Sequence, residues 1–202
     1  MKKNPAAPPA PAQTWRIGRT VPWVAPWSGE AEFWLGDSVE FPGKVELVQE
    51  TRPGVGAPVL DGMHVLRQRR GVLEHLCHVC GRPTTANDRY LFPVPTGLFV
   101  ALDDGARRYA SHMPPCHLAC ARLAQEACPH LKSTYAQPVA WPRDGGEMAC
   151  ETKAPPRMAE LAATLPPGLQ VVFSYFRVFG ADFSREVTRL RAEAAQGTTA
   201  GG

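Results

Sequence analysis

The chain has 202 residues, which is enough for one substantial domain, with or without a smaller module, and excludes two full-sized domains. Its 44% hydrophobic residues, 21 prolines and 18 glycines are typical of a globular chain rich in loops. The formal net charge of +3 neither supports nor excludes a nucleic-acid partner, because such binding depends on how the charges cluster.

The beginning of the sequence predicts a protein without a secretory signal. "MKKNPAAPPAPAQ" has Pro and Ala where a signal peptide has its apolar core. No run of about 18 apolar residues occurs, so we expect no membrane contact and a cytoplasmic location. In a reducing compartment, six cysteines indicate metal ligation or buried thiols in preference to disulfides. Cys150 has no partner at close spacing and is interpreted as a bystander.

The first quarter of the chain is predicted to be a disordered Pro/Ala tail over 1–13, followed by an aromatic-rich β segment over 14–60. The segment contains four of the five tryptophans. Short aromatic or β-branched runs predict strands at 31–35, 39–41 and 45–48. We interpret the tryptophans as core residues, with stacking on nucleic-acid bases as the alternative.

A loop over 52–62 leads into a predicted helix within 63–76, the first element of a zinc-binding core over 61–132. This helix has arginines at Arg67, Arg69 and Arg70. They are interpreted as a solvated helix face, with a phosphate-contacting patch as the alternative. Gly71 weakens the helix prediction by about 1 kcal/mol relative to Ala.

Further along, apolar runs at 90–94 and 98–102 predict a hairpin, with a second turn at 103–105. Pro114 and Pro115 are expected to open a helix that stops at Pro129. The region 133–197 is predicted to pack on the core through a buried strand within 169–179. A helix should follow, from near Asp182 or Ser184 to Gly197, with a frayed tail at 198–202.

The cysteine and histidine pattern predicts a zinc site. Cys77 and Cys80 form a CxxC followed by Gly81, the shape of a zinc knuckle. A second Cys/His group follows on the predicted helix, where residues three or four apart share a face. The order of knuckle, hairpin and helix is that of a treble-clef zinc site. We therefore expect an α+β fold with small antiparallel strands, a treble-clef-like zinc site and a C-terminal helix.

The predicted Zn²⁺ ligands are Cys77, Cys80, His117 and Cys120, with Cys116 as the alternative to His117. Cys128 is excluded, since it lies about 12 Å along the helix from Cys120, whereas sulfurs on one zinc are about 4 Å apart. Cys128 is instead predicted to pack as a small hydrophobe, and a histidine at 130 to cap the helix end. The remaining histidines are expected around the site or on the surface: His75, His78 and His112.

Two segments of the sequence resemble segments of a known family. "HVLRQRRGVLEHLCHVCGRPT" and "PPCHLACARLAQEACPHL" resemble an uncharacterised actinobacterial family with a basic helix, a CxxCG knuckle and a Pro-Pro-led helix that closes on Cys-Pro-His-Leu. The likeness covers 64–83 and 114–131. In that family the helix usually offers a CxxC, so His117 stands at the position of its first cysteine. The resemblance implies the metal site and brings no established activity.

Three kinds of function remain at this point. Four protein ligands close a tetrahedral zinc site, which favours a non-catalytic interaction or assembly protein with a protein partner or self-assembly. The alternative is a nucleic-acid-binding zinc protein that uses Arg67, Arg69 and Arg70 together with Arg107 and Arg108. An HNH-like nuclease with a base at His112 is least favoured, because no Asp-His pair or second metal ligand is evident.

Overall fold

The computed structural model describes residues 15–94, 96–133 and 136–199. The strands of these residues are β1 (Phe33–Asp37), β2 (Val45–Gln49), β3 (Tyr90–Leu91), β4 (Leu98–Ala101), β5 (Arg107–Ser111), β6 (Val139–Ala140), β7 (Glu147–Glu151), β8 (Val171–Val172) and β9 (Ser174–Val178). The helices are α1 (Val65–Leu73), α2 (Leu118–Ala127), α3 (Pro129–Ser133), α4 (Ala159–Ala163) and α5 (Ala181–Thr199). The predicted tail over 1–13 and positions 200–202 lie outside the described residues, while 198 and 199 continue α5.

The strands of the described chain form three small sheets, ordered β1-β2-β8, β3-β6 and β4-β5-β9-β7. Every pairing is antiparallel except that of β2 with β8. With the C-terminal helix α5 and the short helices between the strands, this is a mixed α+β fold, so the predicted class is confirmed. Within the described ranges, no helix combines the length and apolar character that crossing a membrane requires.

Two of the three strands predicted in the aromatic segment form. β1 and β2 pair in register from Phe33 opposite Gln49 to Asp37 opposite Val45. The prediction of a strand at 39–41 is wrong, because this stretch is the connection between them. Phe41 N–H donates to the Ser38 hydroxyl at 3.2 Å, which holds the chain in a turn.

The hairpin between 90–94 and 98–102 was a wrong prediction. β3 pairs with β6, and β4 pairs with β5 around the turn at 103–105. The turn at 103–105 favours the pairing of β4 with β5. Gly105 takes φ +78°, and Asp104 accepts a hydrogen bond from the N–H of Ala106 at 2.8 Å. In the predicted hairpin the first strand, 90–94, would contain Pro93, which has no N–H to donate to a strand partner.

Helix α1 forms where it was predicted, but its arginines do not form a solvated face. Arg67 and Arg69 are only 6% and 3% exposed, whereas Arg70 is exposed and pairs with Glu74 one turn along the helix. The interpretation of Arg67 and Arg69 as surface residues is therefore wrong. A charged side chain can be buried in this way only when its charge and its hydrogen bonds find partners inside the protein.

Glu30 is the partner of Arg67. Its two carboxylate oxygens accept from the Arg67 guanidinium at 2.9 and 2.6 Å and from the backbone N–H groups of Trp27 and Arg52, both at 2.8 Å. Arg67 also donates to the Ala25 carbonyl at 2.9 Å. Burial alone would raise the pKa of Glu30, but these bonds outweigh it, and the pKa lies below its usual value. We call this buried group the Glu30–Arg67 clamp.

His64 caps helix α1 beside the clamp. Its Nδ1 accepts from the Arg67 N–H at 3.4 Å, and its Nε2 donates to the Glu50 carbonyl at 2.8 Å. This arrangement uses one nitrogen as acceptor and the other as donor, which is the neutral ring. Burial, the largest cause, lowers the pKa of His64 and so favours the same form.

The opposite side of α1 is held by Arg69 and Gln68. The Arg69 guanidinium donates to the backbone carbonyl of Leu47 on β2 and lies 5.7 Å from the centre of the Tyr175 ring. The Gln68 side-chain amide donates to the Tyr175 carbonyl at 2.7 Å and accepts from the Tyr175 N–H at 3.2 Å. Helix α1 is thus fixed to two of the sheets by polar side chains.

The tryptophans of the aromatic segment have different environments. Trp27 is buried in a small cluster with Val21 and Ala25. Trp34 on β1 is 51% exposed. The interpretation of the tryptophans as core residues is right for Trp27 and wrong for Trp34.

Removing one member of the clamp should be costly. We expect Arg67→Met to lower the free energy of unfolding by about 3–5 kcal/mol, because it leaves the Glu30 carboxylate buried without its cation. The matched control is Arg70→Met on the same helix, where the exposed pair with Glu74 should be worth at most about 0.5 kcal/mol. Urea unfolding measures both, and equal losses in the two variants would contradict the prediction.

Acid titration provides a second measure of the clamp. Because the folded pKa of Glu30 is lowered, its contribution to stability is complete above the ordinary value of 4.5 and is lost as the pH falls through the folded value. In Arg67→Met the isolated carboxylate gains from protonation, so acid should reduce its stability less than that of the unaltered chain. If the stability of both chains falls equally with pH, the Glu30–Arg67 pair does not determine the acid dependence.

Candidate metal centre

The first half of the site is a tight turn. The N–H of Gly81 donates to the Cys77 carbonyl, and the N–H of Cys77 donates to the Arg82 carbonyl, both at 2.8 Å. Gly81 has φ +73°, the left-handed conformation that glycine adopts without strain. Cys77 and Cys80 are therefore brought to the same side of the turn, as the CxxCG pattern predicted.

The indole of Trp23 covers this turn. A Cβ atom placed on Gly81 would lie 2.6 Å from Cγ of Trp23, too close for any side chain larger than hydrogen. The N–H of Trp23 also donates to the Val79 carbonyl at 2.7 Å. Trp23 thus supports the turn of the candidate metal centre, a role that the sequence did not indicate, because nothing local links it to residue 81.

The second half of the site begins later than predicted. Helix α2 starts at Leu118, not at Pro114 and Pro115, because Cys116 is held in extended backbone. Its N–H and carbonyl both bond to Tyr90, each at 2.8 Å. His117 is the N-cap residue, and the Asp88 carboxylate caps the helix by accepting from the Leu118 N–H at 2.7 Å.

Cys77, Cys80, His117 and Cys120 meet in one group. One ligand atom of each lies within 4.8 Å of those of the other three. His117 Nδ1 is 3.5 Å from the sulfur of Cys80 and 3.9 Å from that of Cys120. Three sulfurs and one imidazole nitrogen at this spacing are geometrically compatible with a structural zinc site.

His117 is oriented for ligation through Nδ1. Its other nitrogen, Nε2, lies 3.1 Å from the Pro83 carbonyl, which can accept only a hydrogen bond. The proton therefore belongs on Nε2, and the Nδ1 lone pair faces the sulfurs. Pro83 follows the knuckle directly, so the same turn supplies two cysteines and fixes the histidine.

The thiols of the site do not ionise independently. A hydrogen bond from the Cys116 thiol is the largest cause that lowers the pKa of Cys77, which falls to about 3. Burial, followed by the negative charge on Cys77, raises the pKa of Cys120 to about 12. Hydrogen bonding to Cys77 and burial raise the pKa of Cys116 well above its usual value. A bound divalent cation would relieve the repulsion between neighbouring thiolates.

The remaining sulfur and imidazole groups lie around the site or away from it. Cys116 is buried against Cys77 but is not in the group of four. Cys128 follows the end of α2 and is half-buried, and Cys150 lies on β7. Burial is the largest cause that lowers the pKa values of His75 and His78, each to about 4.

The arginines predicted to contact nucleic acid are not brought to one exposed face. Arg67 and Arg69 are inside, and Arg70 pairs with Glu74. Arg107 is exposed and Arg108 half-buried on β5. The two buried guanidinium groups cannot reach a phosphate while the clamp and its neighbours are intact.

Comparison of the chain with known protein families, with curated proteins and with solved structures finds no match. The resemblance to the actinobacterial family therefore stays a prediction, and the site is interpreted from its own geometry.

Substitution of the knuckle glycine tests the packing of Trp23. We expect Gly81→Ala to lower the free energy of unfolding and to weaken metal binding, since the added methyl group meets the indole as well as a left-handed backbone. Gly105→Ala is the control: it has φ +78° but open space around its Cβ, so it should cost only about 1–2 kcal/mol. Thermal unfolding and metal titration measure both, and the same small loss in each would contradict the packing role.

Proposed function

We propose that the protein is a non-catalytic interaction or assembly protein that binds one structural Zn²⁺ through Cys77, Cys80, His117 and Cys120. The observation that carries the proposal is the convergence of four ligand atoms of the type and number that zinc prefers. The two thiols of the turn and the two groups at the start of α2 agree with a treble-clef-like site.

A site with four protein ligands has a structural role. A catalytic zinc keeps one coordination position for water or substrate, and this set leaves none. The Zn²⁺ would instead join the knuckle to α2 and offset the cost of holding three thiols together. All six cysteines are free thiols, which suits a reducing compartment, so we place the protein in the cytoplasm.

Two edge strands support the interaction role. β1 is the outer strand of its sheet and exposes Trp34, and β4 is the outer strand of another and exposes Leu98. Exposed edges with large apolar side chains are the sites at which sheets pair with another chain. A second copy of this chain is the simplest such partner.

The nucleic-acid alternative is less well supported than the sequence indicated. Of the five arginines predicted to contact phosphates, Arg67 and Arg69 bind partners inside the protein. The others are Arg107, Arg108 and Arg70, which pairs with Glu74. The predicted set of five arginines therefore contributes less than expected to the counterion release that drives binding to phosphates. We therefore favour the protein-interaction role.

Metal analysis tests the zinc proposal. We expect one zinc per purified chain, its loss in Cys77→Ser, Cys120→Ser and His117→Ala, and its retention in Cys116→Ala. Cys128→Ser is the matched control for a cysteine outside the group and should keep its zinc. A protein without zinc, or loss of zinc in Cys116→Ala with retention in His117→Ala, would overturn the assignment.

Self-association tests the interaction proposal. We expect sedimentation velocity to show a concentration-dependent oligomer that Trp34→Ser weakens by at least about tenfold, as loss of a buried interface tryptophan would. Leu169→Ser is the control, because Leu169 is also exposed (39%) but lies in a loop before β8. A monomer at every concentration, or equal effects of the two changes, would rule out assembly through β1.

A further inference from the structure

A cavity of about 510 Å³ lies beside the candidate metal centre. Its walls come from separate parts of the described chain: the N-terminal segment at Pro22, the loop at Met63, the knuckle at His78, the stretch before α2 at Met113, and α2 itself at Ala124. Cavities of this volume at the junction of several elements are typical of small-molecule sites.

The lining of the cavity defines the chemistry of an occupant. It is mostly apolar, and its charged side chain is the carboxylate of Asp61, with no lysine or arginine among the described residues, so an anionic ligand is disfavoured. The lining includes the sulfur-containing residues Met63, Met113, Cys116 and Cys128 and the aromatic Phe92. Polarizable sulfur and aromatic groups favour contact with aromatic rings.

The walls are held open by the fold. Pro22 and Pro114 lie in the lining and restrict the backbone there. The N–H of Val24 donates to the His78 carbonyl at 3.2 Å, and the N–H of His78 donates to the Pro115 carbonyl at 2.7 Å. These bonds tie three walls of the cavity together, so a ligand would not have to order them on binding.

We propose that this cavity binds an uncharged, aromatic small molecule. The site is separate from the proposed zinc function, because the knuckle contributes His78 and Val79 to it and leaves the four ligand atoms to the metal. Binding here would tie the N-terminal segment to α2 without using a metal ligand.

A fluorescent titration of the full chain tests the proposal. The probe is N-phenylnaphthylamine, which is uncharged and aromatic and has one N–H group. We expect a saturable rise in fluorescence with one probe per chain. Anilinonaphthalenesulfonate has the same rings with an added negative charge and should bind at least about tenfold more weakly, since the lining contains the Asp61 carboxylate and no lysine or arginine.

Two substitutions on α2 show where the probe binds. Ala124 lines the cavity, so Ala124→Phe should fill part of it and weaken binding at least about tenfold. Ala127 is on the same helix but exposed and outside the lining, so Ala127→Phe should leave binding unchanged. No saturable binding, equal affinities of the two variants, or tighter binding of the sulfonate would overturn the proposal.

Methyl NMR of labelled methionines locates the probe even if Ala124→Phe fails to fold. A neighbouring cavity of about 430 Å³ shares Met63 with the first and contains Met158, whereas Met113 lines the first alone and Met148 lines neither. The probe should shift the signals of Met63 and Met113 and leave those of Met148 and Met158 unchanged. Shifts of Met63 and Met158 without Met113 would place the probe in the neighbouring cavity and contradict the assignment.

Discussion

Much of this structure depends on the burial of one basic helix, α1. Helix α1 lies between the sheets, yet its sequence places guanidinium groups at two of its inward positions. An isolated Arg67 charge would be strongly destabilising there, because desolvating it costs several kcal/mol, a large fraction of the stability of a typical domain. The chain before β1 supplies Glu30, the carbonyl of Ala25 and the N–H of Trp27, and Arg52, which follows β2, supplies the second N–H that bonds the carboxylate. This segment has little regular structure of its own, and the clamp fixes where it lies.

The clamp and the candidate metal centre belong to one connected region. Between Trp15 and Glu30, the N-terminal segment reaches the knuckle through Trp23 and α1 through Glu30. The indole that packs on Gly81 thus lies seven positions from the carboxylate that neutralises Arg67. The stability of the turn at Cys77 and Cys80 therefore depends on polar interactions remote from its sulfur atoms. The converse also holds: ordering of the knuckle restricts the segment that carries the carboxylate.

The local parts of this arrangement could be predicted from the sequence. Two cysteines two residues apart before a glycine define a turn, and groups three residues apart at a helix start share a face, so spacing predicts the pair Cys77 and Cys80 and the pair His117 and Cys120, with Cys116 left as the alternative to His117. The non-local parts could not be predicted. Nothing near Arg67 indicates Glu30, 37 residues earlier, so a basic helix was interpreted as exposed. The pairing of β3 with β6 is equally remote, and Pro93 removed the local alternative.

The position of β9 has a consequence for how the chain is made. This strand, complete only at Val178, is an interior strand between β5 and β7, and β8 just before it completes the sheet of β1 and β2. During synthesis, β5 has no such neighbour until the chain as far as Val178 has left the ribosome. Strand insertion of this kind makes contacts of high sequence separation, which slow folding and leave edges open to other chains in the meantime. The nascent chain thus depends on residues 171–178 to complete the sheets that the earlier strands begin.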